Sequence, residues 1–307
     1  MNEVYTYKKI NNLAVEPVNF VNGCSLEYHG KVDKVAEKIF ADTNKKIVML
    51  AGPSSSGKTT TASILSKDIE LMGGKAYTVS LDDFYHPRSV GYPLDENGKP
   101  DYECVEALDV ELMQTKLWEL ADKGKSSLPV FDFRSGERIN DAKRIELSEN
   151  DVIIVEGLHA LNPLITDTLD EEKLFKIYVS VSTRVYDDDG NSFLSKRDLR
   201  LIRRMVRDHS FRSTPVERTL EIWQSVTRGE DKYLFPYEHL ADVKIDSFHP
   251  CEPCLFAERA SALLSTVKNS QYAEKAGLLL DKLSHFKNIN YSLLPSDSLL
   301  REFLGTD

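Results

Sequence analysis

The segment KKIVMLAGPSSSGKTTT, Lys45 to Thr61, constrains this chain more than any other. A short apolar run, Ile47 to Leu50, has the composition of a strand buried on both faces, and it breaks at Gly52-Pro53 into a loop of small residues. The loop reads G-x-x-x-x-G-K-T from Gly52 through Gly57, Lys58 and Thr59. Gly52 and Gly57 permit backbone geometry closed to other residues, so the N–H groups around Ser54, Ser55, Ser56 and Thr60 can converge on phosphate oxygens. Lys58 is then expected to reach the outer phosphates and the Thr59 hydroxyl to bind Mg²⁺. Apolar Ile64, Leu65, Ile69 and Met72 follow at helical spacing, so the loop is expected to open a helix whose N-terminal dipole favours an anion.

The 307 residues, 41% of them hydrophobic, suffice for one large domain with appendages. With 39 basic against 49 acidic residues and a net charge of -10, a surface that wraps duplex nucleic acid is not expected, and any anion site must be local. The start, MNEVYTYKKI, carries no apolar signal core, and no run approaches the roughly eighteen apolar residues of a membrane span, so a soluble, cytoplasmic protein is expected. Four cysteines, at 24, 104, 251 and 254, are too scattered for a disulfide scaffold. Cys251-Glu-Pro-Cys254 has metal-ligand spacing but no second pair to complete it, and is expected to hold reduced structural thiols.

Taken in order, Val4 to Ile10 and Leu13 to Phe20 flank Asn11-Asn12 and suit a hairpin, followed by a helix over Val32 to Phe40. This stretch is expected to be an added flap or oligomer contact. After the first strand and helix, Ala76 to Leu81 reads as a strand ending in Asp82-Asp83-Phe84-Tyr85. Ligands of open parallel sheets sit at the carboxyl ends of strands, so an acid there can orient an attacking hydroxyl and accept its proton. The Pro- and Gly-rich section from Pro87 to Asp101 reads as a surface excursion, and a helix is expected from about Val105 to Lys123. Leu128 to Phe133 with the turn Arg134 to Arg138 is either an acceptor pocket or a plain hairpin. Asp151 to Leu161 is an apolar strand ending in Glu156, the acid expected to organise Mg²⁺ beside a phosphate loop. Leu174 to Ser182 and Asp242 to Asp246 read as further strands, and Leu255 to Leu304 as helices. In the last of these, the spacing of Leu278, Leu279, Leu283 and Phe286 suits core or a dimer contact, so a homo-oligomer is one expectation.

In RLIRRMVRD, Arg200, Arg203, Arg204 and Arg207 share one helical face while Leu201, Ile202, Met205 and Val206 share the other. Like charges at these spacings repel, and only Asp208 offsets them locally. The face, with Arg212 just beyond it, is expected to close over a polyanion.

With these residues in place, the chain resembles the uridine kinase and phosphoribulokinase family of P-loop kinases over about residues 45 to 250. The matching elements, in order, are GPSSSGKTT, SLDDFY, PVFDF, VEGLHAL and RLIRRMVRD. WQSVTRGEDKYLFPY and the terminal SLLREFLG look like a bacterial nucleoside kinase branch in which the kinase unit follows domains similar to the N-terminal part of threonyl-tRNA synthetase, for which this chain lacks room. The resemblance implies an α/β fold with a parallel sheet flanked by helices, divided here into a β-rich N-terminal extension (1–44), a kinase domain (45–250) and a C-terminal helical appendage (251–307). It implies ATP and Mg²⁺ as cofactors, Asp82 as general base, and Tyr85 and Phe131 on the acceptor side. Glu103 stands at the ribose-binding position, and Arg204, Arg207 and Arg212 match arginines that grip substrate or phosphates. Cys104, Phe131, Gly136 and Thr214 depart from the family's histidine, tyrosine, histidine and arginine. A pocket that loses hydrogen-bonding groups also loses discrimination for the base that needed them.

The expected function is therefore an ATP-dependent kinase for a small hydroxyl compound, foremost the 5'-hydroxyl of a nucleoside. Sugar phosphate, pantothenate and glycerate kinases are the alternatives within enzymes, and a catalytically silent ATP-binding protein is the alternative outside them. The guanine-reading N-K-x-D motif is absent and both D-x-x-G matches, at Asp95 and Asp187, fall in loop-like sequence, which disfavours a GTPase switch.

Overall fold

The computed structural model describes residues 3–268 and 270–305. Its centre is a five-stranded parallel sheet in the spatial order Val243–Asp246, Leu174–Ser180, Ile47–Ala51, Val152–Glu156, Ala76–Ser80. Every residue of the central Ile47–Ala51 strand is buried. Ile47, Met49 and Ala51 enter a core with the Val110–Lys123 helix, while Val48 and Leu50 enter the larger core on the other face, with the Pro17–Ala41, Lys58–Leu71 and Lys196–Arg212 helices. That is why the strand reads as a continuous apolar run: in a sheet covered on both faces no alternate position meets water. The registers place Leu50 opposite Glu156 and Glu156 opposite Ser80, so three strand ends open onto one edge.

The N-terminal stretch is not the expected hairpin. Tyr5–Thr6 forms a two-residue strand beside Val185–Tyr186, and the rest is helical, Tyr7–Leu13 and Pro17–Ala41. Thr6 caps the first helix by accepting the Lys9 N–H, and Pro17 begins the second, where its missing N–H costs nothing. Val21, Cys24, Tyr28, Val32, Val35 and Ile39 recur at intervals of three and four and are buried, a stripe that only a helix presents to one core. The larger core takes residues from 10–39, from the sheet and from 254–304 alike.

Lys125–Asp132 and Glu137–Glu146 pair as an antiparallel hairpin beside the edge of the sheet. The Val105 to Lys123 segment divides into a single turn, Val105–Ala107, and the Val110–Lys123 helix capped by Asp109. The chain ends in the helices Glu252–Leu264 and Ser270–Ser284 and a short turn of helix, Arg301–Leu304. Leu279, Leu283 and Phe286 are buried in the core, and Leu278 is exposed. Among the described residues no helix is long and apolar enough to cross a membrane.

Candidate active site

The loop between the central strand and the Lys58–Leu71 helix has the backbone that its glycines require. Gly57 sits at φ +91 as the helix N-cap and Ser55 at φ +59, while a Cβ on Gly52 would collide with the Val179 carbonyl. Lys58 Nζ folds back to donate to the carbonyls of Gly52 at 2.8 Å and Pro53 at 3.3 Å. Thr59 is exposed, and the Ser55 and Ser56 hydroxyls are buried without a hydrogen-bond partner. The Thr60 N–H and hydroxyl are engaged: both donate to Glu302, at 3.3 and 2.7 Å. A carboxylate from the chain's own C-terminal turn thus occupies donors at the helix N-terminus, where first-turn N–H groups have no partner within the helix. These donors, with the hydroxyl of Thr59, fit a nucleotide's phosphates and a Mg²⁺ ion that takes few protein ligands. No group of three or more acidic, His or Cys side chains among the described residues forms a metal cage.

Two acids stand across from the loop. Glu156 closes its strand, and burial raises its carboxyl, opposed by Lys58 and reinforced by Asp82 and Glu302. Asp82 lies in the turn Leu81–Phe84, whose start is fixed by Ser80 accepting the Asp82 N–H. Its side chain reaches water yet has protein packed closely around it. Desolvation raises it, Lys58 and Arg212 pull it back, and Asp83 adds to the rise. Asp83 faces away, accepting the Phe131 N–H at 3.2 Å and tying the hairpin to this turn.

Beyond Asp82 lies an aromatic cluster. The rings of Tyr85 and Phe131 are 5.7 Å apart and those of Phe131 and Phe133 5.0 Å, and the Tyr85 hydroxyl donates to the Tyr102 carbonyl. Arg88 fills the space above Gly136, where a Cβ would strike its side chain, and donates to the Phe133 carbonyl. Glu103 packs on Gly229 at the wall of a cleft of about 800 Å³ between residues 93–106 and the Val216–Tyr233 helix. Burial lifts its carboxyl to about 7 against the pull of Arg204, with Glu230 and Asp82 adding to the rise. His159 Nε2 donates to the Glu103 backbone carbonyl at 2.9 Å, and burial lowers its imidazole to about 4, so it is neutral.

The arginine helix departs from its expected role in part. Arg200 and Arg203 do not face a polyanion; both are buried in ion pairs with acids far away in sequence. Arg200 makes a bidentate pair with Glu230 at 2.6 and 2.8 Å, and Arg203 reaches Glu252 at 2.6 Å. Both also grip the phosphate loop, Arg200 at the Ser54 carbonyl and Arg203 at the Ser55 carbonyl, while Glu230 accepts the Ser54 N–H at 2.8 Å. Arg204 donates to the Ser54 hydroxyl at 2.6 Å. Arg204, Arg207 and Arg212 then converge on the buried carboxylate of Asp208, at 3.2, 2.9 and 3.3 Å, three positive charges against one within the ion-paired cluster. Burial lowers Arg204 and Arg212, each also pressed by its arginine neighbours.

The sequence reading missed three acids that touch this machinery, Glu230, Glu252 and Glu302. RGED and LLREFL contain two of them, but nothing local marks an acid as the partner of a loop or arginine so distant.

The uridine kinase of Staphylococcus aureus (strain JH9) is 30% identical over 201 residues, which cover 65% of this chain and 86% of that protein. A candidate fructose transport system kinase from Silicibacter sp. TM1040 shares the fold at TM-score 0.51 and 18% identity, over 69% of this chain and 98% of that one. A possible uridine kinase from Bacillus stearothermophilus aligns at TM-score 0.49 and 21% identity, over 72% and 100%. The sequence model of the Phosphoribulokinase / Uridine kinase family matches residues 47–251, a span that begins at the central strand and takes in the phosphate loop, Asp82, Glu156 and the arginine helix. The chain belongs to the phosphoribulokinase/uridine kinase family of kinases.

Proposed function

We propose that this kinase transfers the γ-phosphoryl group of ATP to a hydroxyl of a small molecule, foremost the 5'-hydroxyl of a nucleoside. The observation that carries the reading is Asp82, a carboxylate in the turn directly after the Ala76–Ser80 strand, within electrostatic reach of both Lys58 and Arg212.

The loop amides from Ser55 to Thr60, with the Ser55 and Ser56 hydroxyls, would hold the phosphates, and Thr59 and Glu156 would hold Mg²⁺. Bound there, the nucleotide supplies an activated phosphoryl group and the metal supplies charge neutralisation. Asp82 takes the proton of the acceptor hydroxyl as its oxygen forms the new bond to phosphorus. Lys58, released from the Gly52 and Pro53 carbonyls, and the Arg204, Arg207 and Arg212 cluster stabilise the electrons that the breaking P–O bond leaves on the diphosphate. Tyr85 and Phe131 would line the acceptor side, and Glu103 would offer a carboxyl suited to vicinal hydroxyls.

Uridine kinase relatives favour a nucleoside. The cluster of Tyr85, Phe131 and Phe133 rings, with Arg88 over Gly136, supports weak discrimination among bases. An acceptor panel monitored by ADP release tests the reading. Turnover with several nucleosides supports it. Turnover restricted to sugar phosphates or glycerate would replace it with the second reading, and tight ATP binding without turnover on any acceptor would remove catalysis.

A further inference from the structure

The C-terminal turn does more than close the core. Leu299, Leu300 and Phe303 have no exposed surface, and the Arg203 guanidinium lies 5.2 Å from the Phe303 ring centre. Arg259 donates to the Leu304 carbonyl at 2.7 Å, Arg301 to the Leu294 and Gly305 carbonyls at 2.6 and 2.8 Å, and Ser25 to Ser298 at 3.2 Å. The backbone of this segment is therefore fixed from several sides. Leu299 covers Gly57, the N-cap of the phosphate-loop helix, where a Cβ would strike its side chain. From that platform Glu302, itself only half-buried, delivers one carboxylate oxygen to both donors of Thr60. Its charge is also felt across the loop by Glu156 and Arg212.

We propose that Glu302 is a built-in competitor for the phosphate that lies nearest the helix, and that it sets the affinity of the loop for its nucleotide. The inference rests on the loop being a phosphate site. The Thr60 N–H is one of the few first-turn donors with no partner inside the helix, and a phosphate oxygen and the Glu302 carboxylate need it in the same place. Because the turn is anchored, only the Glu302 side chain moves: it swings off Thr60 when triphosphate enters and returns as the diphosphate leaves. The apparent affinity is then the intrinsic affinity reduced by the fraction of loops that Glu302 leaves open. A purely structural Glu302, capping a helix whose N-cap is glycine, predicts the opposite: its loss would loosen the first turn and weaken binding.

The test measures dissociation constants of AMP-PNP and of inorganic triphosphate by calorimetry for the wild type, Glu302→Gln and Glu302→Ala, with melting temperatures and hydrogen exchange of residues 299–305. The expected result is about tenfold tighter binding of both ligands to both variants, the order of one charge-assisted contact, with exchange of 299–305 unchanged by ligand. Equal or weaker binding by the variants overturns the inference while leaving the phosphate site standing. Binding by no variant and not by the wild type overturns the phosphate reading and this inference together, and release of 299–305 on ligand addition refutes the side-chain swing.

Discussion

Removing Glu230 provides a quantitative test of how the phosphate loop is held. Its carboxylate has no exposed surface and carries three contacts, two from Arg200 and one from the Ser54 N–H. In Glu230→Ala the Arg200 guanidinium is left buried without a counter-charge and the Ser54 amide without its acceptor. Breaking a buried pair from one side costs about 3–5 kcal/mol. For a chain of 307 residues, an unfolding entropy of about 2.1 cal/mol/K per residue turns that into a fall of about 5–8 °C in melting temperature. Arg200→Met should cost a comparable amount, because it leaves Glu230 charged and buried. The double variant Arg200→Met/Glu230→Leu should recover part of the loss, giving a coupling of about 2 kcal/mol or more in the cycle, since neither charge then remains alone. Thermal and urea unfolding followed by far-UV dichroism supply the energies, and fluorescence of Trp223, whose ring centre lies 5.3 Å from the Arg200 guanidinium, supplies a local probe. In all three variants the KM for ATP should rise, the Ser54 backbone having lost its clamp, and in the double variant it should stay raised although stability returns. Additive losses with no coupling, or a Glu230→Ala melting temperature within about 1 °C of wild type, would refute the buried-pair account.

Glu103 makes stability depend on pH in a defined direction. Between its ordinary value of 4.5 and the folded value of about 7, the folded chain keeps a proton that the unfolded chain has released, so stability falls as pH rises through that window and then levels off. Glu103→Gln should flatten this slope between pH 5 and 7 in denaturant titrations, and should raise KM for the acceptor more than for ATP; an unchanged slope would contradict the burial of its carboxyl. All four cysteines are buried; burial pushes Cys104 up to about 11 and Cys254 up to about 12, and raises Cys251 as well. Ellman's reagent should therefore find no fast-reacting thiol in the native protein and four after unfolding; rapid native labelling of Cys251 or Cys254 would refute their structural role.

The phosphate loop, the acids Asp82 and Glu156 at strand ends and the parallel sheet were legible because each is encoded within a few consecutive residues: glycines at fixed intervals, apolar runs, an acid directly after a strand. The N-terminal helix was not. Gly23, His29 and Gly30 interrupt the pattern, and two β-like runs on either side of Asn11-Asn12 satisfy a local hairpin template, while the buried stripe from Val21 to Ile39 only becomes decisive once a core exists to receive it. The arginine face was read correctly as a face and incorrectly as a single device. Helical periodicity fixes the direction of Arg200 and Arg203, but their partners Glu230 and Glu252 come from other helices, and no sequence window of one helix contains them. Glu302 was invisible for the same reason, 242 residues from the threonine it touches.

The central claim is that Asp82 takes the acceptor proton beside a loop that holds the triphosphate independently of it. Single-turnover phosphoryl transfer from ATP, measured for wild type and Asp82→Asn alongside the dissociation constant of AMP-PNP, tests this most directly. The account predicts a loss of about a hundredfold or more in the transfer rate with nucleotide affinity within about twofold of wild type. A transfer rate that survives the substitution, or one lost only because the nucleotide no longer binds, would contradict it.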